Sequence, residues 1–497
     1  SVAFTRAAKI EFKSRLAERL NLKFGDLPFC NTIHSMIARL LGIHKTSFIT
    51  KDDHKAVLDD MGVHYSKGAF EQVYQDTIYD LLVDERPEPP ELGDALIAWN
   101  NYRRNSMLPL TESLALFSEQ YGIEIPINVA TEYQQAFESL LGNDRHDYTS
   151  LIETAIREHV SPEPGKIMLV DEALDLGTLM RTLIEQMAHQ IGQCILSFDD
   201  DQCLFGFVGA NPGWLVDLPG HKRFLTQSHR CGQRIHELAE RIIRQNSVRY
   251  PKDWIPAPHI GEVHHHCHWR DLVQTRESGR TLGIVSYNRH YLAPVARWLA
   301  AHAIPFTNLR GPSPFDHIPG SVVVALAFSE NQPVKLSKFV RLIKDVPQKG
   351  YLRRGARAEL ERQVAEKGFQ DYDVNRRDLE KLGCLPEFVD TLVDAGSALK
   401  SMRLDPMTRS AYETIYRAHG LTWFLEPDLE TTLGTVHSVK VRTFDDVIFL
   451  LDQTRRTWES GIIDPEANRR VAYVAVTRTR DRLFLCTAES RYCYEME

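Results

Sequence analysis

Several features are missing from this 497-residue chain, and each absence narrows what it can be. Its eight cysteines (Cys30, Cys194, Cys203, Cys231, Cys267, Cys384, Cys486, Cys493) include no C-x-x-C pair. That argues against a disulfide framework and implies reduced thiols and a cytoplasmic location. No apolar run reaches the roughly 18 residues that a membrane-crossing helix needs; Ser321–Phe328 is among the longest. The opening SVAFTRAAK lacks a signal-peptide layout. There is no excess of positive charge, since 59 Lys and Arg face 67 Asp and Glu for a net charge of −8. This excludes a histone-like coat but leaves room for nucleic acid in a locally basic cleft. Short repeats and low-complexity tracts are absent, and so is any G-x-x-x-x-G-K-S/T.

The composition is that of an ordinary globular protein, 43% hydrophobic and 25% charged, and the chain is long enough for two to four domains with separate cores. Ala8, Phe12, Leu16 and Leu20 recur every four residues, the signature of one helix face. Residues 70–160 read as largely helical, interrupted at Pro87–Pro90, and Pro162–Gly165 then punctuates the chain. Beyond it, GKIMLVDE and QCILSFDDDQ each run apolar into acids, as buried parallel strands with polar C-terminal ends do. TLGIVSYN, SVVVALAF, DDVIFLLD and DRLFLCTA are expected to be further strands. Strands alternating with helices predict an α/β fold with parallel sheets, and such sheets bind ligands beyond their strand carboxyl ends.

Asp171 and Glu172 fall at one such end. Oxygen ligands of this kind suit Mg²⁺, and a neighbouring carboxylate can activate water for phosphoryl transfer. Taken alone, an Asp-Glu pair reads more readily as a solvated turn. The tract His264–His268 (HHHCH) invites a zinc reading. In a strand, however, His264, His266 and His268 would share one face about 7 Å apart, with His265 and Cys267 on the other. No second cluster completes a set, so the tract reads as a strand.

The company of Asp171 and Glu172 is what makes them informative. LVDEALD resembles the Walker B motif of UvrD/Rep-like superfamily 1 DNA helicases. SFDDDQCLFGFVGA resembles their motif III, LTQSHRC motif IV, TVHSVKVRTFDDVIFL motif V and VAYVAVTRTRDRLFL motif VI. AFTRAAKIEFKSRL is similar to motif Ia, NTIHSMIARLL to motif Ib, and HDYTSLI to the segment that often precedes Walker B. All stand in family order along nearly the whole chain. The β-branched YVAVT would be strand by propensity; the resemblance places it in a helix.

The resemblance implies two RecA-like P-loop NTPase domains with parallel sheets, each carrying a mostly helical insertion. Residues 1–45 and 145–225 would form the first RecA-like domain and 46–144 its helical insertion. Residues 226–325 and 420–497 would form the second, with 326–419 as a small helical insertion. It further implies an ATP-dependent helicase that moves on single-stranded DNA, 3′ to 5′, and acts at single-strand/duplex junctions, in a bacterial cell or as a phage protein in the host cytoplasm. The cofactors would be ATP and Mg²⁺. Asp171 would hold Mg²⁺, Glu172 would activate water, Gln202 would sense the γ-phosphate, and Arg230 and Arg478 would act as arginine fingers. Thr443 stands where the family has a Glu on the nucleotide sugar. DNA would contact Phe4, Thr5, Arg6, Thr32, His34, Ser35, Phe205, Phe207, His437, Ser438 and Lys440. Aromatics stack on unpaired bases, and hydroxyls and lysine hold phosphates. Phe205 and Phe207 fit core packing as well as stacking.

Some positions depart from the pattern. Leu174 replaces the Walker B Gln, Val208 a motif III Arg, and Val441, Arg442 and Thr443 the Gly-Leu-Glu of motif V. The family's phosphate-binding loop lies just before motif Ia, where this chain starts. A truncated form with impaired ATPase is therefore the expectation. A non-catalytic DNA-binding or scaffold subunit derived from a helicase is the alternative.

Overall fold

The computed structural model describes residues 2–3, 6–27, 30–66, 91–142, 144–162, 167–204, 213–214, 218–366 and 368–496. The chain divides into two units, one made of Ser1–Cys267, Val439–Thr443 and Leu451–Glu497, the other of His268–Ser438 and Phe444–Leu450.

The first unit contains a parallel sheet of β1 (Val2–Ala3), β2 (Asn31–Thr32), β3 (Ile167–Asp171) and β4 (Gln193–Leu196), in the order β2-β1-β3-β4. In-register pairs such as Val170 with Val2 and with Leu196 bring the carboxyl ends of the strands to one edge. Met168 and Val170 point into a core with Ile33, Ile37, Leu151, Leu183 and Met187. The alternate residues Ile167 and Leu169 remain exposed, as period-two geometry requires. Helices over Leu92–Ser106, Leu110–Tyr121 and Ile127–Leu141 form a separate core around Trp99, Phe117, Tyr133 and Phe137. The Trp99 indole N–H donates to Ser113 Oγ at 3.0 Å, so burial of this ring leaves its polar atom paired. In the same region the Arg104 guanidinium is buried between Asp147, at 2.6 Å, and Glu153, at 2.7 Å.

The first unit also holds the parallel pair β5 (Glu262–Cys267) and β12 (Thr479–Cys486), backed by helices Gln233–Ile243 and Pro465–Val476. The second helix carries YVAV. Asp464 caps it by accepting the Ala467 N–H at 2.9 Å, and Pro465 opens its first turn. Capping plus burial of Ala472–Val476 outweighs the β-propensity of the run.

The second unit holds parallel strands β6 (Leu282–Ser286), β7 (Phe306–Asn308), β10 (Thr431–Thr435) and β11 (Phe444–Leu450), in the order β11-β6-β10-β7. β6 and β10 are buried along their whole length, as strands covered on both faces are. Here one expectation is corrected. SVVVALAF is no strand but lies within the helix Gly320–Ser329, whose Val322, Val324, Leu326 and Phe328 are all buried. A short apolar run suits a fully buried helix as well as a buried strand, and periodicity cannot separate them. Beyond it, β8 (Val334–Lys335) pairs antiparallel with β9 (Asp373–Val374) among short helices. The architecture is thus α/β with parallel sheets and many helices. Among the described residues no helix is long and apolar enough to cross a membrane.

β5 also departs from strict alternation. His266 has φ +58°, so the chain turns out of the pleat there. The His264 ring stacks on Phe484 at 4.9 Å, and its Nε2 lies 2.8 Å from Glu262.

Candidate active site

The site is built at the carboxyl ends of β3 and β4, within the first unit. β3 ends at Asp171, whose carboxylate accepts the Ser197 hydroxyl at 2.9 Å. Glu172 comes next, with φ 53° and ψ 42°. A left-handed backbone is uncommon for a residue with a side chain and recurs where function constrains geometry. This turn leads into the single 3₁₀ turn Ala173–Asp175, which packs Ala173 and Leu174 into the core and buries Asp175.

Lys440 meets these acids. Its ammonium lies 2.5 and 2.6 Å from the two Asp175 oxygens and 3.3 Å from Glu172. Burial pushes the Asp175 carboxyl up to about 6; Lys440 opposes the rise, while Glu172 and Asp171 add to it. Lys440, read from the sequence as a contact to a DNA phosphate, is engaged here by the acids instead. Its side chain is 5% exposed, and its ammonium is held by carboxylates.

β4 leads into Asp199, Asp200 and Asp201, which cluster and are paired with two cations, Arg249 and Lys252. Lys252 bonds Asp199 at 2.9 Å, Asp201 at 3.1 Å and also Asp200. Arg249 forks onto Asp201 at 2.8 and 2.9 Å. Burial opposes the ionisation of Asp199, but Lys252 and the Gln202 amide outweigh it and hold the carboxyl below its usual range. These acids satisfy internal cations, and their geometry serves Gln202. Its Nε2 donates to Asp199 at 2.6 Å, which turns its Oε1 toward Arg478.

Arg478 is 2% exposed and lies just past the helix Pro465–Val476. It donates to Gln202 Oε1 at 3.0 Å, to Thr477 Oγ1 at 3.2 Å, to the Val474 carbonyl at 3.1 Å and to the Lys440 carbonyl. Burial, with Arg230 close by, pushes its pKa down to about 9. Arg230 is half-buried and donates to the Thr477 carbonyl at 3.0 Å. A cavity of about 500 Å³ opens here, lined by Gln202, Arg230, Thr443, Arg15, Arg480 and Trp254 among others. That volume suits a nucleotide-sized ligand, and three arginines on its wall suit a polyanion.

The structure therefore brings Gln202, Arg230 and Thr443 to one cavity, with Arg478 hydrogen-bonded to Gln202 and Glu172 joined to Lys440. Asp171, the Ser197 hydroxyl bonded to it and Glu172, the next residue, offer oxygen donors, which fit Mg²⁺ and would not select a soft metal.

The DNA candidates are spread more widely. Thr32 caps the helix Ile33–Leu40 by accepting the Ser35 N–H at 3.3 Å, and Ser35 itself is exposed. The His34 ring meets Tyr148 edge-on at 5.3 Å, and burial pushes its pKa down to about 4. His437 and Ser438 are half-buried just after β10, with the Ser438 hydroxyl donating to the Thr435 carbonyl at 2.9 Å. Phe4, Thr5, Phe205 and Phe207 lie outside the described residues, as does the side chain of Arg6. Sequence reasoning missed Asp175, Lys252, Arg249 and Trp254. Three consecutive aspartates are a signal that a buried cation is required, but nothing local says which one answers.

One contact behind the site gives a test of its frame. Gly232 precedes the helix Gln233–Ile243, and a Cβ there would fall 2.7 Å from Gly261 N and 2.8 Å from Gly261 Cα. Gly232→Ala is expected to destabilise the protein by about 2–3 kcal/mol, because backbone cannot step aside as a side chain can. Urea denaturation measures this, and an unshifted midpoint would show that the two segments separate at no cost.

Comparison with known proteins adds a lineage. Residues 1–221 match the UvrD/REP helicase N-terminal domain. The Bacillus subtilis protein YjcD is 23% identical over 269 residues, 50% of this chain and 33% of that protein. The ATP-dependent DNA helicase PcrA of Bacillus subtilis is 24% identical over 269 residues, 51% and 34% of the two chains. PcrA of Staphylococcus epidermidis is 26% identical over 273 residues, again 51% and 34%. The matched stretch thus spans about a third of the length of these relatives.

Proposed function

From a chain whose residues 1–221 carry a UvrD/REP helicase N-terminal domain, and which is a distant homologue of the PcrA and YjcD superfamily 1 DNA helicases, we propose an ATP-dependent motor that moves along single-stranded DNA. The observation that carries this reading is the meeting of Gln202, Arg230 and Thr443 on one cavity, with Arg478 bonded to Gln202. On this reading residues 1–45 with 145–225 and residues 226–325 with 420–497 are RecA-like domains, and 46–144 and 326–419 are their helical insertions.

Glu172, in the left-handed turn that follows β3, takes the proton from the attacking water. Arg230 and Arg478 stabilise charge on the transferred phosphoryl group, the largest contribution a protein makes to this reaction. Gln202 couples Arg478 to Asp199, so a change at the phosphate is felt along two hydrogen bonds. Asp171 would hold Mg²⁺, which would supply positive charge against the phosphates. Thr32, His34, Ser35, His437 and Ser438 contact the strand, with Phe4, Thr5, Arg6, Phe205 and Phe207 assigned by sequence position alone. Movement is 3′ to 5′, and the working substrate is a single-strand/duplex junction.

Two measurements test this. The chain should bind a fluorescent oligothymidylate with an affinity that falls steeply with salt. The 497 residues contain no G-x-x-x-x-G-K-S/T. Hydrolysis is therefore measured on a fusion in which such a segment precedes residue 1, and DNA should stimulate it. DNA binding without hydrolysis in that fusion would favour a second reading, a DNA-binding subunit descended from a helicase. Thr443 at the sugar-contacting position and Lys440 seated on the acids support that alternative. Neither activity would refute both.

A further inference from the structure

We propose that Lys440 is a tethered cation that occupies the acidic end of β3 and yields it to an incoming divalent metal ion. The proposal rests on Asp171 and Glu172 being the metal-binding end of the site.

A lysine ammonium has three protons to donate. Lys440 places its nitrogen within reach of three oxygens, at 2.5 and 2.6 Å on Asp175 and 3.3 Å on Glu172. Its side chain is 5% exposed and that of Asp175 4%, whereas Glu172 keeps 32%. The ammonium is thus fixed from the buried side, and Glu172 is the partner it shares with the open side. Asp171, one residue earlier, accepts from Ser197. Asp171, Glu172 and Asp175 carry three negative charges against the single charge of Lys440. The two negative charges in excess of that ammonium suit a divalent cation. A metal arriving at Asp171 must draw Glu172 away from the ammonium, so metal and lysine compete for one carboxylate.

The same residue also meets the rest of the site through its backbone. The Lys440 carbonyl accepts from Arg478 Nη1, and Arg478 Nη2 holds Gln202. The Arg478 bond is to the Lys440 main chain, so the ammonium can leave Glu172 while Arg478 and Gln202 stay joined.

The test uses the full chain and Mn²⁺ as probe, read from the electron paramagnetic resonance of free Mn²⁺. Lys440→Met should bind Mn²⁺ about tenfold more tightly than the parent protein, a ratio equivalent to ~1.4 kcal/mol. Adding Asp171→Asn to that variant should abolish the gain. A folded Lys440→Met protein with parental Mn²⁺ affinity overturns the proposal. Because removing one member of a buried pair can unfold a protein, a second measurement uses the unaltered chain. Amine acylation read by mass spectrometry should find Lys440 less protected in saturating Mn²⁺ than without metal. Unchanged protection while Mn²⁺ binds also overturns it. Both readouts are independent of hydrolysis, so an absent ATPase leaves them intact. Failure of both proteins to bind Mn²⁺ removes Asp171 as a metal ligand and this inference with it.

Discussion

Glu172→Gln, in the fusion that carries a phosphate-binding loop, is expected to lower DNA-stimulated ATP hydrolysis by about 10²–10⁴-fold, the range for loss of a general base. The substitution keeps the shape of the side chain and removes its ability to take a proton. Nucleotide affinity should stay within about threefold, because a group that acts mainly in the transition state contributes little to ground-state binding. Single-stranded DNA binding should be unchanged. The structure adds a further expectation. Glu172 shares the Lys440 ammonium with Asp175, and the two Asp175 contacts at 2.5 and 2.6 Å survive the change. The melting temperature should therefore move little. Steady-state hydrolysis measured beside thermal unfolding checks both points, and undiminished turnover in a folded E172Q protein would refute the role given to Glu172.

Arg478→Ala is expected to have an effect at least as large, a loss of about 10³–10⁵-fold in kcat, the range for loss of an arginine finger, the role proposed for it. It differs from the Glu172 change in its structural consequences. Arg478 is buried and donates to Gln202, Thr477, Val474 and Lys440. Truncation leaves several acceptors without this donor, at about 1–3 kcal/mol for each that water cannot reach. Arg478→Lys should not restore turnover, since an ammonium cannot reproduce a planar fork spanning four acceptors. Kinetics and urea denaturation on both variants separate the two effects. Rescue of kcat by lysine to within about tenfold would show that charge alone is needed.

Part of this site could be read without coordinates because phosphate chemistry restricts residue type. Asp171 and Glu172 stand out because apolar residues lead straight into them. Arg230 and Arg478 stand out because they sit in runs that match a family motif by motif. The strands Ile167–Asp171, Leu282–Ser286, Phe444–Leu450 and Thr479–Cys486 accord with apolar runs bounded by polar residues. The same rule fails at SVVVALAF, because a segment buried on every side carries no periodic trace of its own conformation. It fails again at His266, where a left-handed residue breaks the alternation that a strand pattern assumes.

The order of motifs, the residue types at the strand ends and the alternation of strands with helices were determined by the sequence alone, because each depends on chemistry or hydrophobicity within a few residues. The destination of Lys440 was not. A lysine in that motif can hold a DNA phosphate or a buried carboxylate, and the choice rests on Asp175, 265 residues away in the chain. The pairing of Lys252 and Arg249 with Asp199–Asp201 was decided in the same way. Buried charges must find partners, but Coulomb attraction acts through space and leaves no mark on the intervening residues, so only tertiary structure names the pairs.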